Sequence, residues 1–170
     1  MILNIGKTVV YPRQGPCRIG AVVDKVVGGT AISFYQLAVL DDSGDALFVP
    51  VDKVAAMGVR QLITKAEIPK LLSRLKEEAE AVKMPVTAVN WKQRIANHAK
   101  LLASGSAFDL AKIIKSLTEM NEIKALSPRD RQVLEKARRN LICEIAEVIG
   151  ESKSAAGQRL DRALQVRRAG

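Results

Sequence analysis

The segment VVDKVVGGTAISFYQLAV, residues 22–39, decides the fold of the first part of this chain. Runs rich in β-branched and aromatic residues flank Gly28 and Gly29. Glycine readily adopts the positive φ angles that a tight reversal between two strands requires. The segment therefore predicts two hairpin-spaced strands over residues 18–27 and 31–40.

Two more short strands are predicted around this pair. Residues 7–11 are rich in β-branched side chains and end at Pro12, and residues 46–49 end at Pro50. About five short strands with turn signals and no helix between them are typical of a small, strongly bent antiparallel barrel. We expect such a barrel over residues 1–60, with at least one strand edge open for pairing.

Helical periodicity replaces strand alternation after residue 60. A capping-box pattern at Thr64–Glu67 predicts a helix to about residue 82, either with Pro69 in its first turn or with a slightly later start. An extended linker is expected near residues 83–89. Four further helices are predicted: from Asn90 to Ser104, after a cap at Ser106, from the cap at Ser127 to residue 149, and over residues 154–167. The fold class is therefore α+β, with the small antiparallel barrel followed by a compact all-α domain of about five helices over residues 61–170.

The positive charge lies almost entirely in the helical part. Residues 1–60 contain six Lys or Arg and five Asp or Glu, whereas residues 61–170 contain 21 and 13, and the whole chain has a formal net charge of +9. A basic module favours a polyanionic partner. Nucleic acid is favoured over a membrane surface, because no basic segment has the amphipathic pattern of a membrane-surface helix.

The predicted fourth helix separates its charges from its apolar residues. One side carries the apolar residues Leu134, Ala137, Leu141, Ile145 and Val148. The opposite side is cationic and carries Arg131, Lys136 and Arg139, with Arg138 at the border. A solvated basic face and a phosphate-binding face fit this helix about equally, and the charge of the surrounding region favours phosphate.

Trp91 is the only tryptophan of the chain. Its spacing from Ile95, Ala99 and Leu102 favours a core position when the helix is considered alone. Its place in the first turn, beside Lys92 and Arg94, allows a second interpretation, in which the indole stacks on or wedges beside a base while the cations hold phosphates.

Catalysis is not expected. His98 is the only histidine, and a solvated or capping role is expected for it; Asp41, Asp42 and Asp45 have the pattern of a turn rather than a cation site. Cys17 and Cys143 are expected to be free thiols. We expect no cofactor and no metal. We also expect a cytoplasmic protein, because the N-terminal residues do not have the pattern of a signal peptide.

The sequence resembles the CarD/CdnL family of bacterial transcription regulators in both modules. The blocks that carry the resemblance, in chain order, are residues 5–12 with Gln14-Gly15, then Phe34-Tyr35, residues 49–51, residues 58–60, residues 90–94, residues 102–105, Leu126-Ser127 and Leu134 to Leu141. Each block is common by itself, and the ordered set is specific.

The resemblance implies a function. In that family a Tudor-like barrel docks by strand addition on the β subunit of RNA polymerase. The helical domain binds promoter DNA at the upstream edge of the transcription bubble, where a tryptophan acts as a minor-groove wedge and stabilises the open complex. Trp91 is the matching position here, which reverses the expectation of a core tryptophan.

The resemblance and the residue pattern together give two sets of expected contacts. The polymerase set is Asp24, Lys25, Val26, Val27, Phe48, Val49 and Pro50. The DNA set is Trp91, Lys92, Arg94, Lys100, Arg131, Lys136, Arg138 and Arg139. Relatives often have arginine at the position of Phe48, so a salt bridge from this position is excluded here.

Two other functions stay open from the sequence: binding of structured RNA or a ribosomal surface, and a pure protein-interaction adaptor. The expected partners are the β subunit of bacterial RNA polymerase and promoter DNA, bound largely without sequence readout. A monomer is expected, with a strand-exchanged dimer as the alternative.

Overall fold

The computed structural model describes residues 3–77 and 88–169, with side chains described over residues 3–77 and 92–165. All strands of these residues precede all of the α-helices, which confirms the α+β class. The strands are β1 (Thr8–Tyr11), β2 (Gly15–Val27), β3 (Thr30–Val39), β4 (Ala46–Pro50) and β5 (Arg60–Gln61), with a 3-10 turn over Val51–Lys53. Within the described residues, no helix has the length and hydrophobicity needed to cross a membrane.

The strands form one antiparallel sheet in the order β4–β3–β2–β1–β5. The predicted pairing of β2 with β3 around Gly28-Gly29 is confirmed, and a register shift between Ile19 and Val22 bends this long pair. The first strand of the pair begins at Gly15, three residues before the predicted start. Strand β4 lies at one edge of the sheet, and within the described residues it pairs with β3 alone.

The β module has its own core. Its innermost side chains include Cys17, Leu37 and Val49, each 0% exposed. The short strand β5 pairs with β1 through Arg60 and Gln61, so the sheet extends one residue beyond the expected boundary at residue 60.

The residues that the structure describes contain five α-helices: α1 (Glu67–Lys76), α2 (Ala88–Ser104), α3 (Ala107–Ile123), α4 (Pro128–Ile149) and α5 (Lys153–Ala169). The predicted start of α4 is confirmed, because the Ser127 side chain accepts from the backbone N–H of Asp130 and Pro128 occupies the first turn. Gly150 ends this helix in the left-handed conformation at φ 79°. Ser106 caps α3 in the same way, by accepting from the N–H of Asp109.

Helix α1 begins at Glu67 with Pro69 in its first turn, as predicted, although Thr64 does not cap it; the Glu67 carboxylate accepts from the Thr64 hydroxyl at 3.0 Å. Two predicted helix boundaries are wrong, the end of α1 and the start of α2. Helix α1 ends at Lys76, because Glu77 is extended, and the run of acids from Glu77 onward is unfavourable at the negative end of a helix dipole. Helix α2 begins at Ala88, so Asn90 lies inside it rather than at its cap. The rest of the predicted linker lies outside the described residues.

The helical module is built around Leu71, Ile113, Leu117, Leu141 and Leu160, all 0% exposed. The apolar side of α4 faces this core, as predicted. The opposite side of α4 is not wholly solvated, because α4 also packs against β2 and buries a second, polar set of side chains there. That set is Asn140, Cys143 and Glu144.

Candidate interaction surfaces

The outer face of β2, β3 and β4 brings together most of the expected polymerase-contact residues. Directly paired residues of antiparallel strands project to the same face, and the register pairs Lys25 with Ile32 and Gln36 with Phe48. The Lys25 ammonium lies 3.5 Å from the centroid of the Phe48 ring, a cation–π contact. The two predicted segments, far apart in sequence, are therefore neighbours.

This face exposes two apolar side chains, Val27 at 52% and Phe48 at 41%. Val26 is 76% exposed and lies on the opposite face of the hairpin, because neighbouring residues of a strand alternate between its faces. Val49 differs from the expectation for a side-chain contact, because it is 0% exposed and belongs to the core of the β module. Only its backbone, on the edge strand β4, is placed for an external contact. We call the exposed residues Val27 and Phe48, with Lys25 and the open edge of β4, the edge surface.

Asp24 lies on the other face of the hairpin. Its carboxylate accepts a hydrogen bond from the Ser33 hydroxyl, its cross-strand partner. Asp24 is exposed, and this bond stabilises the projecting end of the hairpin rather than the edge surface.

Six of the eight expected DNA-contact residues divide into two groups. Lys92, Lys100, Arg131 and Arg139 are exposed. Arg94 is mostly buried and forms an ion pair with Asp130 at 3.2 Å, and Arg138 forms one with Asp161 at 2.9 Å. The two paired arginines hold helices together, so the exposed lysines and arginines are the cations placed for phosphate contact.

Trp91 lies in the first turn of α2, and its side chain is outside the described residues. The spacing of four residues places position 91 one helical turn before Ile95.

Lys136 lies in a cationic neighbourhood. Burial first, and then the charges of Arg139 and Arg13, lower the pKa of Lys136. Arg13 is contributed by the β module, from the turn between β1 and β2, and was not among the expected site residues.

The expectation that His98 is solvated is wrong. The side chain is buried, at 6% exposure, and burial lowers its pKa below the usual value of 6.5. The Asp130 carboxylate opposes this decrease and the Arg94 guanidinium adds to it. Burial therefore favours the neutral imidazole of His98, and its Nδ1 has no hydrogen-bond partner among the described residues.

A buried ion pair joins the two modules. The Arg60 guanidinium donates to both Glu144 carboxylate oxygens, at 2.9 and 2.7 Å, and the same carboxylate accepts from the backbone N–H of Ile63. Arg60 also donates from Nε to the carbonyl of Gly105. The helical wheel of α4 did not identify this joint. The one sequence signal for it is an acid, Glu144, that directly precedes the core residue Ile145.

Further contacts surround this joint. The Asn140 side-chain amide donates to the carbonyl of Arg13, and the Lys153 ammonium donates to the carbonyl of Leu40 and pairs with Asp42. These contacts involve two different turns of the β module, so they hold α4 and α5 against the sheet at separate points.

A small antiparallel β module with an open strand edge, fixed to a helical module with exposed cations, defines a class of two-module proteins in which each module presents its own interaction surface. The family model of the CarD C-terminal domain matches residues 70–161, and that of the CarD-like/TRCF RID domain matches residues 3–63. The chain belongs to the CarD family of transcription regulators.

Two individual proteins are also similar to this chain. A Bacillus subtilis (strain 168) protein described as putative transcription factor YdeB is 23% identical over 149 residues, which cover 88% of this chain and 94% of the relative. The other is the solution NMR structure of the 72-residue N-terminal domain of Myxococcus xanthus CarD. The match has 42% sequence identity and a TM-score of 0.30, and it covers 35% of this chain and 79% of the CarD domain chain.

Proposed function

We propose that this protein regulates transcription initiation without catalysis, by binding the β subunit of RNA polymerase through its β module and promoter DNA through its helical module. The observation that carries the proposal is that one chain of the CarD family holds an open, apolar strand edge and a set of exposed cations on two modules joined by the Arg60–Glu144 pair.

The edge surface has the features that strand addition needs. Within the part of the chain that the structure describes, the outer edge of strand β4 is unpaired, so its backbone groups offer hydrogen bonds to a partner strand. Phe48 adds apolar area on that strand, Val27 adds apolar area at the tip of the β2–β3 hairpin, and Lys25 over the Phe48 ring adds a positive charge. Phe48 replaces the arginine that relatives often have, so apolar contact takes the place of an ion pair in this proposal.

The helical module supplies the DNA contacts. Lys92 and Lys100 on α2 and Arg131 and Arg139 on α4 are exposed and would contact backbone phosphates. Such contacts position a protein on DNA without specifying sequence. Trp91 would act as the wedge at the upstream edge of the bubble.

The mechanism is thermodynamic. Polymerase binding holds the helical module beside the melted junction, so its weak DNA affinity acts at a high effective concentration. Preferential contact with the open complex then shifts the equilibrium from closed to open by about 1–3 kcal/mol, the usual range of such coupling.

A pull-down of the β subunit with the full chain tests the polymerase contact. The full chain is needed because a cut after residue 60 divides β5 and separates Arg60 from Glu144. We expect wild type to capture the β subunit and Val27→Glu to lose it. Ile123→Glu is the matched control, because Ile123 is an apolar residue, 82% exposed, on the helical module. Equal capture by Val27→Glu and wild type would contradict the proposed surface, and co-purification of ribosomal RNA instead of polymerase would favour RNA binding.

A further inference from the structure

A cavity of about 280 Å³ lies where the β module meets helices α2 and α4. Its lining combines one apolar wall with several cations. The lining residues are Arg13, Ile95, His98, Ala99, Leu102, Arg129, Asp130, Val133 and Lys136. The volume is close to the lower end of the range for small-molecule pockets, about 300 Å³.

The charges that line this cavity are unbalanced. Among the described residues, Arg13, Arg129 and Lys136 form no ion pair, whereas the one carboxylate of the lining, Asp130, is already paired with Arg94. Lys136 is half-buried, and Arg13 and Arg129 are exposed on the lining of the same cavity. An anion in the cavity would be attracted by all three charges.

A buried polar group faces the same cavity. His98 lines it, is 94% buried, and has an Nδ1 without a partner in the described residues. Buried polar groups in proteins are nearly always hydrogen-bonded, so an orphaned ring nitrogen points to a ligand or a bound water at this position.

Backbone strain places the third cation. Arg13 adopts φ 70°, a conformation that costs free energy in a residue other than glycine. The Asn140 side chain holds it there by donating to its carbonyl at 3.1 Å. The β module therefore contributes the Arg13 guanidinium to a cavity whose other lining residues lie on the helices.

We propose that this cavity binds a phosphate group, with Arg13, Arg129 and Lys136 as its cationic contacts and His98 as a hydrogen-bonding group. The phosphate can come from a free phosphate ester or from the DNA backbone. The site is distinct from the edge surface, and the inference does not depend on polymerase binding, because it is tested on the isolated full-length protein.

The single histidine makes a specific probe. Pyrophosphate, titrated at constant ionic strength, is expected to move the imidazole NMR resonances of His98 saturably. Arg13→Asn removes the guanidinium while keeping a residue that tolerates positive φ, and Lys136→Gln removes the second cation. Each variant is expected to bind about tenfold more weakly, as for loss of a charge-assisted hydrogen bond. Arg162→Gln on α5, outside the cavity lining, is the charge-matched control and is expected to bind like wild type.

The outcomes separate the two sources of phosphate. If a short DNA duplex displaces pyrophosphate from the site, the cavity holds a backbone phosphate. If the duplex binds without displacing it, the cavity holds a free phosphate ester. Resonances that do not move with pyrophosphate, or equal affinity in Arg13→Asn and Arg162→Gln, would overturn the proposal.

Discussion

Arg60 on β5 and Glu144 on α4 form a bidentate ion pair between the two modules, with nitrogen–oxygen distances of 2.9 and 2.7 Å. The Glu144 side chain is 1% exposed and that of Arg60 is 25% exposed. The two residues belong to different modules. A change in the relative orientation of the modules would therefore leave the buried charge of Glu144 without its partner, which is unfavourable. A joint of this kind favours one fixed placement of the edge surface relative to α2.

We expect Glu144→Ala to lower the free energy of unfolding by about 3–5 kcal/mol, the usual cost of breaking a buried pair. The substitution removes the carboxylate that accepts from the N–H of Ile63 and balances the charge of Arg60, which keeps only its bonds to backbone carbonyls. Urea denaturation followed by circular dichroism measures the loss. Glu147→Ala is the control, because its pair with Arg18 at 3.4 Å is exposed and should be worth less than about 1 kcal/mol. Equal losses in the two variants would contradict a special role for Glu144.

Gly15→Ala is expected to be more destabilising than Gly28→Ala. Both glycines have positive φ, at 87° and 58°, so each substitution carries a conformational cost of about 1–2 kcal/mol. Only at Gly15 would the new Cβ also lie 2.8 Å from the Asn140 Oδ1, whereas nothing lies within 4 Å at Gly28. Urea denaturation of both variants measures the difference. Equal destabilisation would mean that the β1–β2 turn does not press against α4.

The fold could be predicted where its signals are local. Gly28-Gly29 act through their backbone conformation and Ser127 through a bond to the N–H of Asp130 three residues away, so the hairpin and the start of α4 followed directly from the sequence. The inter-module joint could not be predicted, because Arg60 and Glu144 are 84 residues apart and a helical wheel shows only one core. The second buried face of α4 exists because the sheet packs against it.

The candidate site was predictable in composition and not in geometry. The sequence predicts Arg94 and Arg138 as DNA contacts. In the fold, Asp130 pairs with Arg94 and Asp161 pairs with Arg138. Arg13 was not identified, because it lies in a turn of the nearly neutral β module, and it reaches the helical cations only through the packing of the two modules.

The stability of the protein is expected to depend on His98 below neutral pH. Burial lowers the pKa of His98 in the folded state below 6.5. As the pH falls through the unfolded value the unfolded chain takes up a proton first, so the contribution to stability is complete above that value and is lost below it. Urea denaturation at about pH 7.5 and about pH 5.5 measures this loss, which should be smaller in His98→Asn. The same pH dependence in variant and wild type would contradict the assignment.

Both thiols are expected to be unreactive in the folded protein. Burial and the charge of Asp41 raise the pKa of Cys17 to about 12, and burial raises the pKa of Cys143. The thiolate is the reactive form, so little of it exists at moderate pH and none of it is accessible. Labelling with a disulfide reagent at about pH 8 should give no native reaction and full reaction after denaturation. Rapid labelling of native Cys143 would show that the joint opens.

Trp91→Ala tests the wedge that is part of the proposed function. The substitution removes the indole and leaves the edge surface and the cations Lys92 and Lys100 in place. We therefore expect β-subunit capture equal to wild type, and loss of most of the stimulation of promoter opening, within the roughly 5-fold to 150-fold range of ordinary coupling. Trp91→Phe keeps an aromatic ring and should retain part of the effect, whereas Val27→Glu should lose both capture and stimulation. The lifetime of the open complex with each variant measures this, and equal lifetimes with Trp91→Ala and wild type would show that the helical module acts through its cations alone.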